Sequence, residues 1–324
     1  MDLQSNCQPP LPKTGLPLPT MRNRFTISTL AIVPVLFSLM LVSASEMQKK
    51  PPQPPSDAEL LARADKLIAN QHRNEQFLDE YERLERQVDQ TAGMTPRILE
   101  DRTYRIVPTG AGTMKMLVSD RGKPVEPAEY HKELQLWVQT LEIALKPNDS
   151  RAKTAYAKFE KKKKDRAELI DAMREGLLRK WLGQETLNGH LCDVIQLDPN
   201  PAFHPHSLLQ EAISHVTAKI WVDTSVNQLI RAEAHVVRDI SFGGGILGKL
   251  YRGGVFTFDQ SEVAPGVWLP TRYQYDYTAR KFLFTFEQHQ FIEVSHYSRV
   301  GSPKEALAIA QDELASGKSF TGDP

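Results

Sequence analysis

Between Lys219 and Val300 the chain keeps a two-residue rhythm that few folds can absorb. Ile230, Ala232, Ala234 and Val236 alternate with Arg231, Glu233 and His235. A strand, whose side chains point alternately to two faces, produces this pattern, whereas a helix needs a period near 3.6. Tyr273, Tyr275 and Tyr277 stand opposite Arg272, Gln274 and Asp276, and Phe282, Phe284 and Phe286 fall on one face shortly after. Phe256 and Phe258 repeat the arrangement in Val-Phe-Thr-Phe. Turn-forming residues at 223–227, Pro265-Gly266 and Thr278-Ala279 separate the runs, as in an antiparallel meander. Its aromatic face needs a cover.

Helices are available for that purpose. Ser56-Asp-Ala-Glu59 is a capping box, and Leu60, Leu61, Ala64, Leu67 and Ile68 follow at helical spacing, predicting a helix to about Asn74. From Leu78 to Val88 the charged pattern fits a helix or a strand. Strands are expected over 102–107 and 113–118, giving three strands in this region with the turn at 109–112 between two of them. A helical insert is expected over about 126–182. Its first helix, Pro127 to Leu145, carries Leu134, Trp137, Val138, Leu141 and Leu145 on one stripe, and its second, Ser150 to Leu182, carries the lysine run 161–164 as a solvated face. Asn188-Gly189 marks a tight turn before a buried strand at 191–197, and Ser207 opens a short helix. Ser302-Pro303-Lys304-Glu305 starts a last helix to about Ala315, with 317–324 as a tail.

The N-terminal 45 residues read as an extension and an export signal. Met21-Arg-Asn-Arg supplies a positive start, 25–42 an apolar run, and Ala44 and Ser45 the small residues of a cleavage site. Residues 46–55 form a proline-rich linker, and 56–316 form the folded domain. Periplasmic or secreted localisation follows, with an inner-membrane anchor as the alternative.

Chemistry-bearing motifs are scarce. The string Gly243-Gly-Gly-Ile-Leu-Gly248 lacks the long helix that a dinucleotide site requires, and reads as a bulge or loop at a sheet end. His204, His206 and His215 lack the converging ligand set of a zinc site. Cys192 lies in an apolar strand and reads as core; with Cys7 the only other cysteine, no disulfide framework exists. Forty basic and forty acidic side chains give a formal charge of zero, so nothing points to nucleic acid. No cofactor, metal or catalytic group is expected. Trp221 and Trp268, beside turns, are expected to seal the sheet against a helix.

The order of elements, with Lys219-Ile-Trp-Val-Asp223 before a hairpin and Gly266-Val-Trp-Leu-Pro270 before the aromatic strands, resembles the periplasmic lipoprotein-carrier superfamily. Its members include the LolA/LolB-like outer-membrane lipoprotein-sorting proteins and their sigma-regulator relatives. The resemblance covers about 56–300 and implies an α+β fold, a strongly curved antiparallel sheet or incomplete β-barrel covered by helices. It also implies a non-enzymatic envelope protein that takes up lipid or lipoprotein acyl chains. The family's lid-holding arginine would fall on Arg97, Arg102 or Arg105, among which the sequence does not choose.

On this reading Tyr273, Tyr275, Tyr277, Phe282, Phe284, Phe286, Phe256 and Phe258 line the acyl-chain pocket. Two other outcomes stay open: the rings pack as a closed core on the Leu134, Trp137 and Leu141 helix, or the sheet serves as a protein-binding surface in an envelope signalling or structural module. A hydrolase with scattered catalytic groups is a distant third function.

Overall fold

Ser56 starts the first helix as its capping box requires: its hydroxyl accepts from Glu59 N at 3.3 Å while the Glu59 carboxylate accepts from Ser56 N at 2.7 Å. The structure, a computed structural model, describes residues 53–146, 148–242 and 248–317. The expected export signal and the core of the glycine-rich string, 243–247, lie outside them.

The elements run α1 (Asp57–Leu78), β1 (Tyr81–Gln90), β2 (Ile98–Pro108), β3 (Thr113–Asp120), β4 (Lys123–Pro124), α2 (Pro127–Ala144), α3 (Ser150–Gly176), β5 (Leu177–Leu187), β6 (His190–Pro199) and α4 (Leu208–Ile213). They continue with β7 (Val216–Asp223), β8 (Leu229–Val236), β9 (Ile240–Phe242), β10 (Gly248–Leu250), β11 (Val255–Ala264), β12 (Val267–Lys281), β13 (Phe284–Arg299) and α5 (Pro303–Ser316). Among the described residues these form one antiparallel sheet of 13 strands in the order β4-β3-β2-β1-β13-β12-β11-β8-β7-β6-β5, with β9 and β10 attached beside β12. The sheet is curved and not closed into a barrel, as expected. The final strand β13 returns to pair with β1, joining the N-terminal hairpins to the meander.

Register fixes the faces. Directly opposed residues share a face, and one unbroken row crosses nine strands: Trp181, Ile195, Ile220, Ala232, Phe258, Tyr273, Ile292, Gln87 and Arg102. Helix α1 packs on this face through Leu60 and Leu67 against Ile195, Ile220 and Val222. Leu84, three residues from Gln87, points the other way and is paired with Arg105, which is paired in turn with Met116. On that second face Tyr130, Leu134, Trp137, Val138 and Leu141 of α2 pack with Ala306 and Ala310 of α5 over Leu84, Val107 and Met116. The α2 stripe is therefore core, except for Leu145, which caps the helix end and is exposed; it covers the face opposite the meander's aromatics, which removes the alternative in which those rings close on α2.

Two expectations need correction. The second insert helix stops at Gly176, and Leu177 to Leu182 belong to β5. A Cβ on Gly176 would lie 3.0 Å from Ile213 Cγ2 and 3.3 Å from Phe203 Cδ1, so the helix end approaches α4 too closely for a side chain. The apolar spacing of Leu177, Leu178 and Leu182 mimics a helical stripe, yet Leu178 and Leu182 are exposed on a strand. Trp221 and Trp268 are buried, but with Cys192, Val194 and Ile230 they form a cluster without a helical member. They seal strand against strand. The ambiguous stretch 78–88 resolves into the end of α1 and the strand β1.

Candidate functional site

On the α1 face, α1, α3 and α4 stand off the floor made by β5 to β8 and enclose a cavity of about 460 Å³. Its floor is Ile195, Leu197, Ala218, Ile220, Val222, Leu229, Ala232 and Ala234, and its roof includes Leu60, Ala64, Leu67 and Ile68 of α1 with Leu169, Ile170 and Met173 of α3. Space exists here for a reason written in the sequence. Ala218 faces Ala234 across β7 and β8, and Ala232 follows on the same face, so the floor is lined by methyl groups where longer side chains would fill the gap. The volume is ordinary for a small-molecule site, which spans roughly 300–1,000 Å³.

The roof is held by polar ties. Arg63 of α1 forms an ion pair with Asp193, which is only 2% exposed and also accepts from Trp181 Nε1 at 2.9 Å and Gln184 Nε2 at 3.1 Å. Asn70 Nδ2 donates to Val226 O and Asn227 O, and Asn74 Nδ2 donates to Gln228 Oε1 at 2.9 Å. Arg174 of α3 meets Asp65 at 2.6 Å and holds its carboxyl below the usual carboxylate range; Arg166 pairs with Glu75, and His72 contacts Asp171 at 2.7 Å. Helix α1 thus spans between sheet and α3 on side-chain contacts, with few buried apolar groups of its own.

Three polar groups reach the cavity without closing it. Gln71 Nε2 is buried and has no partner among the described residues. Arg179 and Arg174 line the cavity where it meets water, Arg179 half-buried and Arg174 exposed.

A second concavity lies on the same face further along the sheet. It is an open trough of about 560 Å³ lined by Phe242, Phe256, Tyr275, Tyr277 and Phe286, with Gln288, Gln290, Lys249, Arg280 and Lys281 at its sides. Phe256 stacks on Tyr277 with centroids 5.5 Å apart, and Tyr277 meets Phe286 edge-on at 6.4 Å. Four of the eight residues expected to line a pocket, Phe256, Tyr275, Tyr277 and Phe286, therefore share one wall. Phe258 and Tyr273 lie on the same face between the two concavities, in edge contact at 5.4 Å. Phe282 and Phe284 do neither: they sit at the β12–β13 hairpin tip, 54% and 78% exposed, because the two-residue loop leaves no element above them.

The apolar cavity escaped sequence reasoning, which looked for bulk. The signal that could have found it is the run of alanines at 218, 232 and 234 on a strand face otherwise built from large side chains.

Other candidates resolve as structure. Burial, with Asp223 second, pushes the Cys192 thiol up to about 11, so it is protonated at neutral pH and is no nucleophile. Among the described residues no group of three or more His, Cys, Asp or Glu converges as a metal site would, and His215 Nδ1 contacts Asp239 O at 2.7 Å. Arg105 is the buried arginine of the three considered: it pairs with Glu82 and with Glu313 of α5, bonds Tyr130 and lies over the Trp137 ring. It locks the α2–α5 side, away from the cavity. No helix among the described residues is long and apolar enough to cross a membrane.

No known family profile matches the chain, and no curated protein does. Among solved structures it is similar to an outer membrane lipoprotein-sorting protein domain from Vibrio parahaemolyticus at 9% identity and a TM-score of 0.32, covering 76% of this chain and 99% of that one. It is similar to a LolA superfamily protein from Nitrosomonas europaea at 10% identity and a TM-score of 0.30, covering 78% and 98%. A DUF1329 family protein from Desulfovibrio piger aligns at 10% identity and a TM-score of 0.28, covering 74% and 92%. At such scores these likenesses do not bear on what the chain binds; the cavity's own chemistry does.

Proposed function

We propose that this chain is a non-enzymatic carrier or binding protein of the cell envelope that shelters an acyl chain of a lipid or lipoprotein between α1, α3 and the floor of β5 to β8. The observation that carries the reading is the cavity of about 460 Å³ with its almost wholly apolar lining. Such walls offer an alkyl chain transfer out of water worth about 0.8 kcal/mol per buried methylene. At roughly 30 Å³ per methylene-sized unit, the volume a water takes in the liquid, the space suits one chain. The positive start, apolar run and small residues of 21–45 support export.

The test is to strip the purified protein of lipid, titrate it with a fluorescent fatty-acid probe, and repeat with Ala232→Phe, which fills the floor. Saturable binding by the parent and its loss in a folded Ala232→Phe variant are expected. Equal binding by both would remove the chain from this cavity.

A further inference from the structure

The carrier reading leaves one cation at the cavity unexplained. Arg179 stands on β5 directly opposite Leu197, a floor residue, so its side chain lies on the cavity side of the sheet. Its two hydrogen bonds both use Nη1, to Arg174 O at 2.7 Å and Leu177 O at 3.1 Å, at the end of α3. Nε and Nη2 have no acceptor among the described residues, and no carboxylate there pairs with this guanidinium. The nearby acid, Asp65, is engaged by Arg174 at 2.6 Å. Arg63, the third arginine on the cavity wall, already pairs with Asp193. Burial, and next the positive charge of Arg174, push the Arg179 guanidinium below its ordinary value, the signature of a cation short of counter-charge.

An alternative role for Arg179 is to cap the α3 carbonyls. That role employs one nitrogen and would be served by lysine; it does not explain a planar fork that lines an apolar hollow with Nε and Nη2 unbonded among the described residues. A guanidinium offers paired donors that match the two oxygens of a carboxylate or phosphate. Arg179 is half-buried and the neighbouring Arg174 exposed, so this cationic pair lines the apolar cavity within reach of water.

Resting on the carrier reading, we propose that Arg179, assisted by Arg174, recognises the anionic head of a single-chain amphiphile whose alkyl chain occupies the cavity. The head is a carboxylate or a phosphate monoester, an anionic group with at least two oxygens, as carried by a free fatty acid or a lysophosphatidate. The neighbouring Arg174 raises the local positive potential without being free itself. Selection would come from charge at the mouth, and retention from the walls.

The experiment titrates the lipid-free full chain calorimetrically with palmitate, with palmitoyl lysophosphatidate and with hexadecanol, which has the same chain and no charge. At low salt at least one anionic amphiphile should bind about tenfold or more tightly than hexadecanol, and the tighter of the two identifies the source of the head. Arg179→Gln should bring that ratio close to one while hexadecanol affinity stays as in the parent. Arg179→Lys keeps a donor for the α3 carbonyls and serves as the second variant should the glutamine form not fold; having lost the fork, it should fall well short of the parent ratio. If parent protein binds all three alike, or either folded variant keeps the full ratio, head recognition by Arg179 is overturned and the carrier reading survives. If none of the three binds, both are overturned.

Discussion

Arg63 of α1 reaches down to Asp193 on β6 and makes an ion pair with a carboxylate that is almost wholly enclosed. The acid is also held by Trp181 and Gln184, so it stays solvated by the protein if the arginine leaves. The pair is therefore a fastener for the roof more than a pillar of the fold. Removing one partner of a fully buried pair costs about 3–5 kcal/mol; Arg63 is partly exposed and Asp193 retains two donors, so Arg63→Ala should cost about 1–2 kcal/mol. Its sharper effect should be local. Amide hydrogen exchange along Asp57–Leu78 should quicken in Arg63→Ala while α2 and α5 stay protected, and no change across α1 would show that its other ties hold the helix without this pair.

Trp221 and Trp268 test the strand-only cluster. Both rings are buried beside Cys192 and Val194; Trp221 Nε1 also donates to Glu185 at 2.9 Å, and Lys219 lies 4.4 Å over its ring. Truncating a buried tryptophan typically costs about 3–5 kcal/mol. Trp221→Ala and Trp268→Ala should each lower the chemical-denaturation midpoint accordingly, without altering acyl-probe binding per folded molecule, since neither ring lines the cavity. Parent-like stability would mean the cluster contributes no packing.

The meander was legible because strand patterning survives burial on one face: Tyr273, Tyr275 and Tyr277 declare their side of the sheet without any partner. Capping boxes at Ser56 and Ser302 were legible because their bonds span three residues. What hid was long-range or subtractive. Asn70 meets Asn227 across 157 positions, a tie no local pattern encodes. The cavity arises from side chains that are small at 218, 232 and 234, and smallness in a strand reads as indifference until the facing helix is seen to stand away. Leu177 to Leu182 misled because pairing with β6 overrides a spacing that also suits a helix.

Acid should weaken the β7–β8 turn. Although partial burial pushes its carboxyl upward, Asp223 is held below its ordinary value by Ser225 and Val226, whose amides donate at 2.7 and 2.9 Å, and by His190 at 2.8 Å. A carboxyl lowered in the folded state adds stability that is complete above its unfolded value, about 3.9, and disappears as pH falls through the folded one. Stability should hold between about pH 5 and 7 and drop below about pH 4. Asp223→Asn, which keeps an acceptor but cannot ionise, should show lower stability at pH 7 and a shallower acid decline in urea titrations. An unchanged decline would assign the acid sensitivity to other carboxylates.

The β12–β13 tip is the least constrained part of the aromatic system. Lys281 pairs with Phe284 across a loop of Phe282 and Leu283, and Leu283 is 91% exposed. Phe284→Gln should therefore leave stability within about 0.5 kcal/mol of the parent, the range of ordinary surface changes, rather than unfolding the protein as a core glutamine would. Phe282 carries a further cost: its φ is 53°, a left-handed backbone that crowds any Cβ. That conformation disfavours an L-residue by about 1–2 kcal/mol, against which glycine loses about 0.4–1 kcal/mol through the freer unfolded chain. Phe282→Gly should then match or slightly exceed the parent in thermal stability, and by calorimetry a fall of more than about 1 kcal/mol, larger than the glycine term alone, would show that the exposed ring makes a contact the fold depends on.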